Sequence, residues 1–175
     1  PVKSVGNSTP TPRDSACDAD AKKVRYALAD SVGTRRREGG FRAGGIELWI
    51  RDTELASFTR QRALERATAL SSVIASEAFE LFRRSWDWKR PLRSLGVRAI
   101  MLSEAGGPRQ LTLYEDEEKL ARLESLERSV DELRRRFGHR AVLRGVDMSD
   151  DSLPYLTPGE NREAGPSMYE MRSQH

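Results

Sequence analysis

Strict alternation marks one stretch of the chain. Ile46, Leu48 and Ile50 fall on one side and Glu47, Trp49 and Arg51 on the other, the pattern of a half-buried strand. Upstream, Val24, Leu28 and Val32 recur at helical spacing, with Tyr26 and Ala27 beside them. Asp18 stands as the N-cap, and Gly39-Gly40 closes this helix after Glu38. Downstream, Asp52 to Leu55 turns the chain and Ser57 to Leu64 reads as an antiparallel partner. Ser71 or Ser72 caps a second helix with Val73, Ile74, Ala78, Leu81 and Phe82 on its inner face, ending near Trp86. After Pro91 the segment Leu92 to Leu102 alternates again, with Leu95, Val97, Ala99 and Met101 against Ser94, Gly96, Arg98 and Ile100. At the start, Lys3 to Pro10 is polar and rich in Ser and Thr. It predicts an edge strand ended by Pro10 and Pro12.

The element order is therefore β-α-β-β-α-β. Each helix carries one apolar stripe, so the natural α+β solution is a four-stranded sheet with two helices on one face. The other face stays open and polar, bearing Trp49, Arg51, Ser94, Arg98 and one side of the 57–64 strand.

Beyond this domain, Gly106-Gly107-Pro108 breaks the pattern, and Gln110-Leu111-Thr112-Leu113-Tyr114 follows before a run of charge. Asp116 to Phe137 then forms a long amphipathic helix. Leu123, Leu126, Val130, Leu133 and Phe137 make a seam spaced 3, 4, 3, 4, suited to a partner helix or, more commonly over three turns, to the domain's own flank. Ala141 to Gly145 suggests a short strand, and from Asp147 the composition is that of a poorly ordered tail. The expected divisions are 1–105, a linker at 106–115, a helix and short strand at 116–145, and a tail at 146–175.

Charge sharpens that division. Residues 1–105 hold 19 Lys and Arg against 13 Asp and Glu, a net of +6; residues 106–175 hold 11 against 14, a net of −3, which sums to the +3 of the whole. A basic domain with an acidic appendage suits a polyanion partner, though ordinary surface charge fits as well. With 37% hydrophobic and 33% charged residues, the chain can build one modest core. No apolar run reaches membrane-spanning length, and the lone Cys17 cannot form an internal disulfide, so the expected setting is cytoplasmic, with no membrane partner. Cys17, His139 and His175 are too scattered for a metal site. There is no Gly-x-Ser-x-Gly and no phosphate-cradling glycine loop. Acidic pairs such as Glu117-Glu118 and Asp150-Asp151 read as solvated surface. No catalysis and no cofactor are expected of this chain, and its opening on Pro1 rather than Met suggests a fragment of something longer.

Several motifs, in their order and spacing, resemble the little-finger domain of Y-family DNA polymerases, the translesion enzymes of the DNA polymerase IV and UmuC type. They are Lys3-Ser-Val-Gly-Asn-Ser-Thr-Pro-Thr-Pro-Arg-Asp14, Ser57-Phe-Thr-Arg-Gln-Arg62, Trp86 and Pro91-Leu-Arg-Ser-Leu-Gly-Val97. The resemblance covers residues 1 to about 144. Gln110 to Tyr114 resembles the family's sliding-clamp-binding peptide, and Val130-Asp131 with Arg134-Arg-Arg-Phe-Gly138 resembles the tail helix of many bacterial members. It implies a polymerase core upstream in the same protein, with palm carboxylates holding Mg2+, and it implies two partners, primer–template DNA and the bacterial sliding clamp.

A little finger grips phosphates rather than base edges. The residues suited to that grip here are Lys3, Ser4, Ser8, Thr9, Thr59, Arg60, Arg62, Arg93, Ser94 and Arg98. For the clamp, Gln110 supplies amide hydrogen bonds, Leu113 and Tyr114 fill an apolar pocket, and Leu111 packs at the rim. From pattern alone, the same leucines also fit a small strand covering the domain's own core. Two features depart from the family pattern: Tyr114 stands where Phe is commoner, and 61 residues follow it. The competing expectation is a non-catalytic DNA-repair accessory or regulatory module that uses the 116–137 helix as a partner surface.

Overall fold

The computed structural model describes residues 4–15, 28–30, 32–104, 106, 117–138 and 141–143. Its elements in chain order are β1 (Val5–Ser15), α1 (residues 28–30 and 32–38), β2 (Phe41–Asp52), β3 (Ser57–Thr68), α2 (Ser71–Ser85), β4 (Leu92–Glu104) and α3 (Glu117–Phe137). The expected β-α-β-β-α-β order is present. The four strands form one sheet in the order β1-β4-β2-β3, every neighbouring pair antiparallel. Helices α1 and α2 share one face, because each has a single apolar stripe to bury. Leu28, Ala29 and Val32 of α1 and Ile74, Ala75, Ala78 and Phe82 of α2 pack with Ile46, Leu48, Ile50, Leu95, Val97 and Ala99 of the sheet.

The ends of α1 and α2 show how tightly these helices are set. Gly40, at φ +70°, stops α1 as the paired glycines suggest, while Asp18, its expected cap, lies outside the described residues. Neither expected serine caps α2: Leu70 holds the N-cap position without a side-chain bond, and Ser71 is already helical. Ser71 presses instead on α1, where a Cβ built on Gly33 would lie 2.0 Å from its Oγ and 3.0 Å from its Cβ. Gly33→Ala is therefore expected to cost about 1–3 kcal/mol, seen as a lower melting temperature, because overpacking must push the two helices apart. An unchanged melt would show that the contact yields freely.

Several sequence expectations need correction. β1 does not end at Pro10 but runs through Pro12 to Ser15, with a register shift between Pro10 and Ser15. It is an edge strand, where a missing N–H costs the ladder little, and Thr11 Oγ1 reinforces it by donating to the Leu92 and Arg93 carbonyls at 3.1 and 3.0 Å. β3 continues past Leu64 to Thr68, and β4 past Leu102 to Glu104. Met101 does not face the core. It sits at φ +53° and is exposed, while Leu102 packs inward opposite Ala43. The glycines opposite explain the switch: a Cβ on Gly44 would meet the Met101 carbonyl oxygen at 2.8 Å, so only glycine lets the two strands change faces together.

The seam of α3 divides between its two expected uses. Leu123 and Val130 are half-buried, whereas Leu126 and Phe137 are 60% and 62% exposed, and Leu133 is exposed too. The helix instead lays its charged side against its own domain, and Arg134 is its one buried residue. Arg134 bonds Asp30 of α1 at 2.6 Å and the Val142 carbonyl at 2.9 Å. The expected strand at 141–145 is absent from the described part of that segment, where Ala141 N–H bonds the Gly138 carbonyl in a turn.

Candidate nucleic-acid interface

The side of the sheet away from α1 and α2 is defined by register. Three rows run across it from β1 through β4 and β2 to β3: Gly6, Arg98, Glu47 and Gln61; Ser8, Gly96, Trp49 and Thr59; Pro10, Ser94, Arg51 and Ser57. The buried hydrophobic residues of β2 and β4 belong to the helix-side cluster, so this face carries polar and small groups, two arginines, one carboxylate at Glu47 and one aromatic ring. Ser8, Ser57, Thr59 and Gln61 are exposed, whereas Glu47, Trp49, Arg51 and Arg98 are half-buried.

The nominated phosphate contacts divide between the two sides. Ser8, Thr59, Ser94 and Arg98 lie together on the open face, although Ser94 is buried there between its neighbours Pro10 and Arg51. Ser4 immediately precedes β1, and Lys3 lies outside the described residues. Thr9 is buried opposite Leu95 on the helix side, its Oγ1 donating to the Pro10 carbonyl at 3.1 Å. Arg60 and Arg62 also belong to the helix side, correcting the expectation that the group shares one face. They sit opposite Leu48 and Ile46; Arg60 stacks 4.7 Å from the Phe58 ring, and Arg62 pairs with Glu77 of α2 at 3.0 Å. Arg93 is the extra residue of a bulge between the Arg51–Ser94 and Asp52–Leu92 pairs, and it is exposed there.

Ser57 and Gln61 also stand on the open face, opposite Arg51 and Glu47. The strand's own pattern carries the signal: Phe58 and Leu64 are the apolar positions of β3, so even-numbered residues turn inward and odd-numbered ones outward. Gln61 Nε2 donates to Glu47 Oε2 at 2.6 Å, and Arg98 Nη1 lies 3.3 Å from Glu47 Oε1.

Away from the face, arginines of α1 do structural work. Arg36 is fully buried and donates to the carbonyls of Phe41 and Ala69, fastening α1 to the strands; burial, then the charge of Arg37, pushes its guanidinium down to about 10. Arg37 goes the other way. Burial disfavours its charge, but the hydrogen bond to Asp131 and the nearby carboxylates together raise its pKa. Among the described residues no group of three or more His, Cys, Asp or Glu could hold a metal ion, and no helix is long and apolar enough to cross a membrane. Gln110, Leu111, Leu113 and Tyr114 lie outside the described residues.

A four-stranded antiparallel sheet, with both packed helices on one side and a polar, arginine-bearing face on the other, defines an α+β domain. Residues 2–113 match the C-terminal domain of the impB/mucB/samB family, and the chain belongs to that family. It is 39% identical over 153 residues to DNA polymerase IV of Acetivibrio thermocellus, covering 87% of this chain and 38% of that protein. It is 31% identical over 154 residues to DNA polymerase IV of Moorella thermoacetica, covering 88% and 38%. The chain thus spans well under half the length of these curated relatives. Among solved structures, a Y-family DNA polymerase chimera shares the fold at a TM-score of 0.52 and 13% identity, over 58% of this chain and 29% of that one. A post-insertion binary complex of Dbh DNA polymerase does so at 0.50 and 12%, over 57% and 28%.

Proposed function

We propose that this chain is the DNA-gripping part of a translesion DNA polymerase, and that it holds primer–template duplex through phosphates and tethers the enzyme to the sliding clamp. The observation that carries this reading is the open face, where short hydroxyls, glycines and the arginines Arg51 and Arg98 stand in register across four strands. Such a surface follows a smooth phosphate track without reading bases, which suits a polymerase that must tolerate damaged ones. Catalysis belongs to the upstream core of the parent polymerase, where carboxylates would hold Mg2+. The pentapeptide from Gln110 to Tyr114 supplies the clamp contact, and such a tether raises a weakly bound enzyme's effective concentration on DNA.

Fluorescence anisotropy tests the grip. Weak binding to two primer–templates of unrelated sequence is expected, equal for both and falling steeply with salt. Arg51→Ala should flatten the salt dependence by about one unit of slope, while Arg60→Ala and Arg62→Ala, on the helix side, should leave it unchanged. No binding at low salt, or a strong sequence preference, would overturn the reading.

The exposed seam of Leu126, Leu133 and Phe137 favours a second reading, a module whose α3 receives a partner. It is distinguished by pull-down partners that are lost with Leu126→Asp while DNA binding stays intact.

A further inference from the structure

The proposed grip has an acid at its centre. Glu47 stands on β2 between two cross-strand neighbours, Arg98 of β4 and Gln61 of β3, and both its carboxylate oxygens are engaged: Oε1 lies 3.3 Å from Arg98 Nη1, and Oε2 accepts from Gln61 Nε2 at 2.6 Å. The pair is well covered, with Glu47 and Arg98 side chains 14% and 26% exposed. At the β1 end of the same row, a Cβ on Gly6 would meet Arg98 Cγ at 2.9 Å, so the arginine stem lies close against the edge strand. A phosphate approaching this row therefore meets a neutralised pair, and it must draw Arg98 from a carboxylate that itself repels the phosphate.

We propose that Glu47 is a brake on the DNA grip: by holding Arg98, it lowers affinity for phosphate without altering sequence preference. The proposal rests on the reading of the open face as a phosphate track. A cross-strand Glu–Arg pair that only braced the sheet would act on stability and would leave the salt dependence of DNA binding untouched. A brake would not.

Glu47→Gln keeps the shape while removing the charge; its one amide oxygen accepts from one neighbour, and Gln61 can turn its own amide to accept from the new NH2. In the full chain it should bind primer–template about fivefold more tightly at low salt, with the log–log salt slope steeper by about 0.9, the signature of one additional phosphate neutralised. Its melting temperature should match the parent's. Glu132→Gln, an equal change of net charge on the exposed side of α3, should alter neither affinity nor slope. In an Arg98→Gln background, Glu47→Gln should gain less than twofold, because the cation that Glu47 holds is gone. Unchanged or weaker binding by Glu47→Gln overturns the brake, and so does an equal gain in the Arg98→Gln background, which would show a carboxylate acting only through its own charge. If neither the parent nor Glu47→Gln binds DNA at all, the phosphate track falls and the brake with it. A silent parent with a binding Glu47→Gln variant would support both.

Discussion

Arg37→Ala is expected to lower stability by about 3 kcal/mol, read as a shift in the urea midpoint, and to strip α3 of its amide-exchange protection. Arg37 is the hub on which α3 docks. Its Nε and Nη2 form a fork on Asp131 at 2.6 and 2.9 Å, its Nη1 pairs with Glu127, and the same Nη1 donates to Ser71 Oγ at 2.8 Å. Glu127 in turn accepts from the Ser71 N–H at 2.9 and 3.0 Å, supplying from another helix the cap that α2 lacks locally. The Arg37, Glu127 and Asp131 side chains are only 9%, 13% and 16% exposed, so water screens them poorly. Removing the guanidinium leaves two carboxylates facing each other half-dry, and the helix must lift away to rehydrate them. Arg37→Lys should not restore stability, because an ammonium cannot make the two-pronged bond to Asp131. Arg122, paired with Glu118 on the exposed side of α3, serves as the contrast: Arg122→Ala should leave the urea midpoint unchanged within error. If Arg37→Ala unfolds at the parent's midpoint, the network is decoration and α3 is held by something else.

These contacts also show where the sequence was readable. The helix and strand order followed from periodicity, because α1, α2 and β2 each bury one clean stripe, and a pattern of that kind admits one sheet with two helices on a face. The faces of β3 are also readable, since Phe58 and Leu64 set the parity that sends Arg60 and Arg62 inward, whatever the resemblance of the Ser57–Arg62 motif implies for them. Met101 was not readable from alternation, because two facing strands changed sides together at Gly44-Gly45 and Met101, and a period of two carries no warning of such a switch. α3 misled for a different reason. Its heptad-like leucines announce a seam, yet the energetically richer side is the polar one, where Glu117, Glu124, Glu127 and Asp131 meet Arg66, Arg42 and Arg37. Ion pairs between residues about ninety positions apart leave no periodic trace along the chain. The brake at Glu47 was hidden likewise: the alternation placed Glu47 outward, but only the register showed which cation and which amide it holds.

The double variant Leu113→Ala/Tyr114→Ala is expected to abolish detectable binding to the bacterial sliding clamp in a calorimetric titration. An extended peptide of the Gln-Leu-x-Leu-aromatic type, set between Gly106-Gly107-Pro108 and the run Glu115 to Glu118, should dock at micromolar strength, about −8 kcal/mol. Leu113 and Tyr114 are its pocket-filling groups, and loss of such anchors costs about 2 kcal/mol or more each, enough to carry the complex to millimolar and beyond. The Tyr114 phenol must keep a polar partner or water at the pocket's edge, so Tyr114→Phe should bind at least as well as the parent. The domain should not notice the double change. Its core cluster is built from α1, α2, β2 and β4, with Phe58 and Leu64 of β3 and Phe79, Leu81, Trp86, Trp88 and Leu102 packed around it. The double variant should therefore melt with the parent and grip DNA with the same salt slope. If it melts much lower, Leu113 belongs to the fold and the peptide is structural. If it stays folded and still binds the clamp as tightly as the parent, the tether lies elsewhere, and the exposed Leu126, Leu133 and Phe137 of α3 are the next residues to change.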